Sequence, residues 1–151
     1  MVDRFERFSI AIFEIFRYWH KIAGDEMKKY GLKGAHATYL TTMHRFEDGI
    51  SATQLCELCA KDKADVSRML SIMERKGLVT RENTGRGLYR ALLKLTDEGK
   101  AVAEHVQERA RIAVESAGKG ISEAERTIFY NSLETIAANL QALSKEGLPN
   151  T

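Results

Sequence analysis

The sequence predicts a mainly α-helical protein of the α+β class, with one small β-hairpin near the middle of the chain. Three observations predict this fold. Apolar residues recur every three or four positions along most of the chain, as they do in helices that bury one face. The segment Asn83–Gly87 instead separates two runs of β-favouring residues and carries glycines where a hairpin turn needs positive φ. The sole proline, Pro149, lies near the end, in agreement with long helices.

Length and charge limit the classes of protein to consider. A chain of 151 residues with 44% hydrophobic and 29% charged residues forms one or two small modules with a core. The charged start predicts neither a signal peptide nor a membrane span, and therefore a cytoplasmic protein without a membrane partner. Residues 61–100 hold ten Lys and Arg against six Asp and Glu, whereas the rest of the chain holds thirteen against fifteen. A basic middle of this kind is typical of a surface that binds a polyanion.

The first two predicted helices have clear apolar sides. The first spans residues 3–23 and ends at Gly24, and the second spans residues 34–46. A lone helix cannot bury an aromatic side by itself, so the first helix is expected to pack against the other end of the chain or against a second copy. Its apolar positions are Phe5, Phe8, Ile12, Ile15, Phe16 and Trp19, and those of the second helix are Ala35, Tyr39, Leu40 and Met43.

Two short helices are predicted next. Ser51 and Gln54 form a capping box at the start of one, which ends near Ala60. Asp62 is the natural N-cap of the other, which ends at Gly77. The stripes expected to be buried are Leu55, Leu58 and Cys59 in the first, and Val66, Met69, Leu70 and Met73 in the second. The opposite side of the second helix carries Lys63, Ala64, Ser67, Arg68, Ser71 and Arg75.

This exposed side predicts a helix-turn-helix, starting at Ser51 and Thr53, whose second helix enters the major groove of double-stranded DNA. Arginine can pair with guanine edges, serine with bases or phosphates, and Ala64 permits close approach. A solvated face on an ordinary helix would give the same pattern, but the basic hairpin that follows favours DNA. Arg81, Arg86 and Arg90 are placed in that hairpin to contact phosphates, with Arg86 at the tip near a minor groove.

Two long helices complete the prediction. The segment Thr96–Gly99 caps one helix that extends to about Gly118. A second capping box, Ser122–Glu125, opens the last helix, which ends at Gly147. The apolar stripe of this last helix consists of Ile128, Phe129, Leu133, Ile136, Leu140 and Leu143.

This order of elements, with the segments Asp65–Leu70, Glu74–Val79 and Leu93–Gly99, resembles the MarR family of bacterial transcription regulators. The resemblance implies a winged helix-turn-helix lobe at residues 34–96 and a helical dimerisation region built from residues 1–33 and 97–151. It implies a homodimer that binds a pseudo-palindromic operator as a sequence-specific transcription regulator, here expected to be a repressor. In this family regulation is often by a small phenolic or other ligand, which would release the repressor, or by oxidation. By position, Lys63, Ala64, Ser67 and Arg68 would contact the groove, and Arg86 would serve the wing.

The wing departs from the family pattern. Members commonly carry Asp-x-Arg there, with the Asp ten residues before the Thr of the Leu-Thr motif. This chain has Gly87–Tyr89 near that place, so Arg86 or Arg90 would have to substitute for the usual arginine.

The remaining motifs leave alternatives open for sensing. Cys56 and Cys59 fit small core residues better than a redox pair, because they lie within a helix without a cationic cluster. His36 and His105 fall where some relatives bind zinc, but Arg109 stands in place of a second ligand, so no metal site is predicted. A candidate effector cleft consists of Phe13, Phe16, Trp19, Tyr39 and Met43, which would otherwise be ordinary core residues.

The sequence does not predict an enzyme. No nucleophile, base and orienting group can be assembled from its motifs, and no cofactor is expected. The alternative to a DNA-binding regulator is a winged-helix module that binds protein or RNA without a specific operator, and the salt dependence of binding distinguishes the two.

Overall fold

The computed structural model describes residues 3–83 and 91–150 of the chain. The predicted mainly α-helical fold with a small antiparallel hairpin is confirmed. In the hairpin, Val79 lies opposite Leu95 and Glu82 opposite Leu92. The elements in order are α1 (Arg4–Met27), a 3-10 helix (Lys28–Tyr30), α2 (Ala35–His44), α3 (Ala52–Cys59), α4 (Lys63–Arg75), β1 (Val79–Glu82), β2 (Leu92–Leu95), α5 (Asp97–Ala117) and α6 (Glu123–Glu146).

The chain divides into two compact units, Met1–Arg111 and Ile112–Thr151. The first unit contains one hydrophobic core, to which α2, α3, α4, both strands and the start of α5 contribute. Its largest fully buried side chains are Tyr39, Met27, Leu40, Met43, Ile50, Leu55, Leu70, Met73, Leu93, His36 and Val66. The stripe predicted for α4 is therefore confirmed, with Met69 only partly buried.

Two details of the helices differ from the prediction. Leu58 is 51% exposed instead of buried, because α3 packs through Ala52, Leu55, Cys56 and Cys59, and Leu58 lies beside that face. In addition, α1 does not end at Gly24 but continues to Met27, which is fully buried. A Cβ at Gly34 would lie 3.1 Å from the Gly24 backbone nitrogen, so the missing side chain at Gly34 permits close contact between α1 and the start of α2. Helix α1 continues through Gly24 although glycine inside a helix costs about 1 kcal/mol relative to alanine.

Helix caps set the positions of α3, α4 and α5. Ser51 and Gln54 form the predicted capping box, and the Asp62 carboxylate accepts from the Asp65 amide at 2.8 Å. The Thr96 hydroxyl accepts from the Gly99 amide at 3.0 Å and donates to the Gly77 carbonyl at 2.6 Å. Gly99 is required there, since a Cβ would lie 2.0 Å from the Leu78 carbonyl oxygen.

The second unit holds the end of α5 and the whole of α6. Ser122 and Glu125 form the second predicted capping box. Arg126 donates to Glu115 at 2.6 Å and to the Gly118 carbonyl at 2.9 Å, which fixes the turn between the two helices. Within residues 3–83 and 91–150, no helix combines the length and apolarity that crossing a membrane requires.

Candidate nucleic-acid interface

The exposed face of α4 is the candidate interface. All six side chains predicted for this face, Lys63, Ala64, Ser67, Arg68, Ser71 and Arg75, are exposed. Val66, Leu70 and Met73 anchor the opposite side of the helix in the core. The structure thus brings the six together on one surface, because their spacing of three or four residues follows the helical repeat.

Hydrogen bonds organise the second half of this face. The Ser71 hydroxyl donates to the Ser67 carbonyl at 2.9 Å, and Arg75 Nε donates to the Ser71 carbonyl at 3.4 Å. Because its hydrogen is donated to Ser67, the exposed Ser71 hydroxyl keeps its oxygen available as an acceptor. Such an acceptor suits the amino groups that adenine and cytosine display in the major groove.

The start of the helix-turn-helix has two different roles for its hydroxyl residues. Ser51 caps α3, since its hydroxyl accepts from the Gln54 amide at 3.1 Å while the Gln54 side chain accepts from the Ser51 amide. Thr53 is exposed in the first turn of α3. Thr53 is thus free of the capping role that Ser51 has, and the DNA contact predicted for it stays a prediction.

The described part of the wing is tied to α4 by an ion pair. Arg81 Nε donates to Glu74 Oε1 at 2.6 Å, joining β1 to α4, and Lys94 lies 3.1 Å from Glu82 on the neighbouring strand. Arg81 is thus held by a carboxylate on α4. Arg86, Arg90 and the departure at Gly87–Tyr89 lie outside the described residues, so the contacts predicted for them remain predictions.

Two acidic residues beside the basic ones were not singled out from the sequence. Glu74 pairs with Arg81, and Asp65 pairs with Arg68 through Oδ1 and Nη2. The Asp65–Arg68 pair could have been predicted from the sequence, because residues three apart are neighbours on a helix surface. The Glu74–Arg81 pair could not, since its residues are seven apart in the sequence and lie on different elements, α4 and β1.

The five residues of the candidate effector cleft do not form one surface. Tyr39 and Met43 are in the core, whereas Phe13, Phe16 and Trp19 lie exposed on α1. Burial, with smaller effects of Cys59 and Asp65, raises the pKa of Tyr39 to about 12, so its hydroxyl stays protonated at neutral pH. The effector cleft stays a prediction.

A small cavity lies at the end of α2. It measures about 130 Å³ and is lined by Met43, His44, Phe46, Glu47, Leu95, Lys100 and Glu104. His44 Nε2 lies 3.4 Å from Glu104 Oε1 in its wall. Pockets for drug-sized ligands measure about 300–1,000 Å³, so this cavity would accept only a small polar molecule in the structure as it stands.

The cysteines and histidines show no metal-binding arrangement in the described residues. Within residues 3–83 and 91–150, no group of three or more His, Cys, Asp or Glu is arranged to hold a metal ion. Cys56 and Cys59 are half-buried free thiols, and burial raises the pKa of Cys59, whose thiol donates to the Thr42 hydroxyl at 3.7 Å. A raised pKa favours the thiol over the reactive thiolate. His36 is buried, and His105 packs edge-on against Tyr30.

Comparisons with known proteins agree with the helix and strand order described above. A model of the MarR family matches residues 30–87. A MarR transcriptional regulator from Methanosarcina mazei Go1 shares 23% identity, with a TM-score of 0.82 over 95% of this chain and 94% of that one. A putative MarR family regulator from Listeria monocytogenes, complexed with 26mer DNA, shares 21% identity, with a TM-score of 0.79 over 100% and 99%. The S. aureus MepR–DNA complex shares 17%, with a TM-score of 0.78 over 87% and 96%.

At these identities the structures establish the fold of the chain, and the family match covers the segment that contains α2, α3, α4 and β1. Members of the MarR family are transcription regulators and not enzymes. The predicted resemblance is therefore confirmed: residues 30–87 match the MarR family, and the chain has the fold of MarR-family regulators.

Proposed function

We propose that this chain is a sequence-specific DNA-binding transcription regulator, a repressor, that acts as a homodimer on a pseudo-palindromic operator. The observation that carries the proposal is the position of α4 within the segment that matches the MarR family. Its apolar side is buried and its polar, mostly basic side is exposed. Two structures with the same fold hold DNA, which supports duplex DNA as the ligand.

In the proposed complex, α4 enters the major groove, whose width of about 12 Å accepts a helix. Residues in the first half of a recognition helix contact base edges, which assigns this role to Lys63, Ala64, Ser67 and Arg68. Arg75 lies near the other end of α4 and is assigned to a phosphate. The wing residues Arg86 and Arg90 are assigned to the phosphate backbone or a minor groove.

The proposed homodimer is supported by two apolar surfaces. On α1, Phe5, Phe13, Ile15 and Phe16 are each at least 60% exposed. On α6, Ile128, Phe129, Leu133 and Leu140 are exposed as well. Burying one such side chain contributes about 1.5–3 kcal/mol, so covering these faces with a second copy is strongly favourable. Residues 1–33 and 97–151 then form the dimerisation region, and two lobes of residues 34–96 bind half-sites about 34 Å apart or a multiple of that distance.

The deciding experiment is selection of duplexes from a random library by the purified protein, with the mass of the protein in solution measured by sedimentation. We expect a dimer and an enriched pseudo-palindrome. The logarithm of the binding constant should fall steeply with the logarithm of salt concentration. Equal binding to random duplexes, or stronger binding to single-stranded RNA, would favour the alternative of a protein- or RNA-interaction module.

The proposal includes a small-molecule effector that releases the repressor from DNA. The exposed aromatic residues Phe13, Phe16 and Trp19 offer surfaces for a ring-containing ligand. Small phenolic compounds added to the complex with the enriched duplex should weaken DNA binding. Unchanged affinity across such compounds would remove them as the effector class without affecting the DNA-binding proposal.

A further inference from the structure

The arginine most central to the candidate interface is held by a carboxylate on its own helix. Arg68 Nη2 donates to Asp65 Oδ1, one helical turn earlier in α4. The Arg68 side chain is 69% exposed and that of Asp65 only 38%. The carboxylate thus lies nearer the protein body and the guanidinium nearer the solvent that DNA would replace.

Neighbouring groups fix the position of Asp65. It lies in the first turn of α4, where its backbone amide donates to the Asp62 carboxylate at 2.8 Å. Its charge is close enough to the buried Tyr39 to contribute to that residue's raised pKa. The backbone of Asp65 is therefore held at the start of α4, and its side chain is the less exposed of the pair.

This arrangement limits what Arg68 can do on DNA. An arginine that moves freely can bind any nearby phosphate, which carries no sequence information. The guanidinium has five N–H donors, so a hydrogen bond to Asp65 leaves others for the paired acceptors of guanine. The carboxylate also repels phosphates and so makes them poorer partners for this part of α4.

We propose that Asp65 is a positioning residue of the DNA interface, which directs the Arg68 guanidinium toward base edges and so raises specificity for the operator over random DNA. This inference rests on the proposed function. Asp65 does not itself contact DNA in this role; it acts through Arg68 and determines how much of the arginine's binding energy depends on sequence.

The chain offers a matched control. Arg111 and Glu108 on α5 form an ion pair with the same three-residue spacing and similar exposure. Asp65→Asn and Glu108→Gln each remove one negative charge, so a general effect of net charge on DNA binding should appear in both. Only Asp65→Asn should change the ratio of specific to non-specific affinity.

The experiment uses the full-length protein and two probes, the duplex enriched by wild-type protein from a random library and a scrambled duplex of the same length. At fixed salt, Asp65→Asn should lower the ratio of the two affinities about 3- to 10-fold. This is a part of the roughly 5- to 150-fold that a whole arginine–guanine contact provides. Glu108→Gln should leave the ratio unchanged. Thermal unfolding of each variant shows whether the fold is kept.

A second measurement separates positioning from a structural effect. In the Arg68→Ala background, Asp65→Asn should change the ratio by less than about 2-fold, because the partner through which it acts is gone. An unchanged ratio in the single variant, or an equal loss with and without Arg68, would overturn the inference. If the wild-type protein enriches no duplex, the proposed function fails first and this inference fails with it.

Discussion

Helices α1 and α4 are both amphipathic, yet they differ in what covers their apolar sides. In α4, Val66, Leu70 and Met73 are buried in the core of the first unit. In α1, Met27 is the one buried residue among those described, and its aromatic residues face outward. The same periodicity thus has two outcomes, because α4 packs its apolar side within the chain and α1 leaves its apolar side exposed.

This difference has an energetic consequence. A side chain in the core of α4 stabilises the folded chain, so its loss should appear in the free energy of unfolding. A side chain on the outer face of α1 should instead appear in the free energy of association, if a second copy covers it as proposed.

Leu70→Ala should lower the free energy of unfolding by about 2–5 kcal/mol, because it leaves a cavity beneath α4. Leu70 is fully buried at the centre of the α4 stripe. Denaturant unfolding measures the change. The matched control is Leu58→Ala, which removes the same atoms from an exposed position on α3 and should cost less than about 1 kcal/mol. Similar losses at both positions would contradict the packing described for α3 and α4.

Phe16→Asp should weaken self-association by about 2–4 kcal/mol, because it places a charge in the proposed contact between two copies of α1. Sedimentation equilibrium over a range of concentrations measures the dissociation constant. Leu58→Asp, an exposed apolar residue outside α1, should leave association unchanged. If both variants stay dimeric with unchanged affinity, the outer face of α1 is not the dimer contact.

Arg68→Ala should cost about 1–3 kcal/mol in operator binding and relax the sequence preference, if Arg68 contacts a base. This change concerns the polar side of α4 and should leave the stability of the lobe nearly unaffected. Binding to the enriched duplex and to single-base variants of it measures both effects. Arg111→Ala on α5 is the control with a similarly exposed arginine. An equal loss on every duplex would make Arg68 a phosphate contact.

The buried His36 gives a smaller, pH-dependent effect. Burial lowers the pKa of His36 below its ordinary value near 6.5, and the cations of Lys33 and Lys76 act in the same direction. The unfolded chain then takes up a proton at higher pH than the folded chain does. The free energy of unfolding should therefore be greatest above about pH 6.5 and fall on acidification, by at most about 1.4 kcal/mol per pH unit for one proton.

Urea unfolding at several pH values between neutral and mildly acidic measures this slope. His36→Gln should flatten it, whereas His20→Gln, which changes an exposed imidazole on α1, should not. A slope that survives in His36→Gln would assign the acid sensitivity to other groups.

Local patterns in the sequence predicted much of the fold. Capping boxes at Ser51 and Ser122 marked helix starts correctly because their hydrogen bonds lie within four residues. The continuation of α1 beyond Gly24 was missed, because the burial of Met27 and the contact with Gly34 depend on residues distant in the sequence. The exposure of Leu58 was missed for a similar reason, since three apolar positions on a short helix do not define which side packs.

The sequence likewise predicted the exposed face of the candidate site but not the contacts between its elements. Periodicity placed Ser67, Arg68 and Ser71 on one face of α4, which the structure reproduces. Periodicity could not indicate that Glu74 holds Arg81, because that pair forms only when β1 packs against α4. Nor could it separate Tyr39 from Phe16, because both occupy apolar positions and only the packed structure distinguishes core from surface.

The Thr96 hydroxyl joins the end of the recognition helix to the start of α5. It donates to the carbonyl of Gly77, directly after α4, and accepts from the amide of Gly99, within α5. The absence of a side chain at Gly99 lets α5 rest on the Leu78 backbone. The end of α4 and the start of α5 are thus connected through the Thr96 hydroxyl, and most of the other atoms in this contact belong to the main chain. A displacement at the start of α5 that is larger than a hydrogen bond tolerates must therefore either break these contacts or move the end of α4 with it.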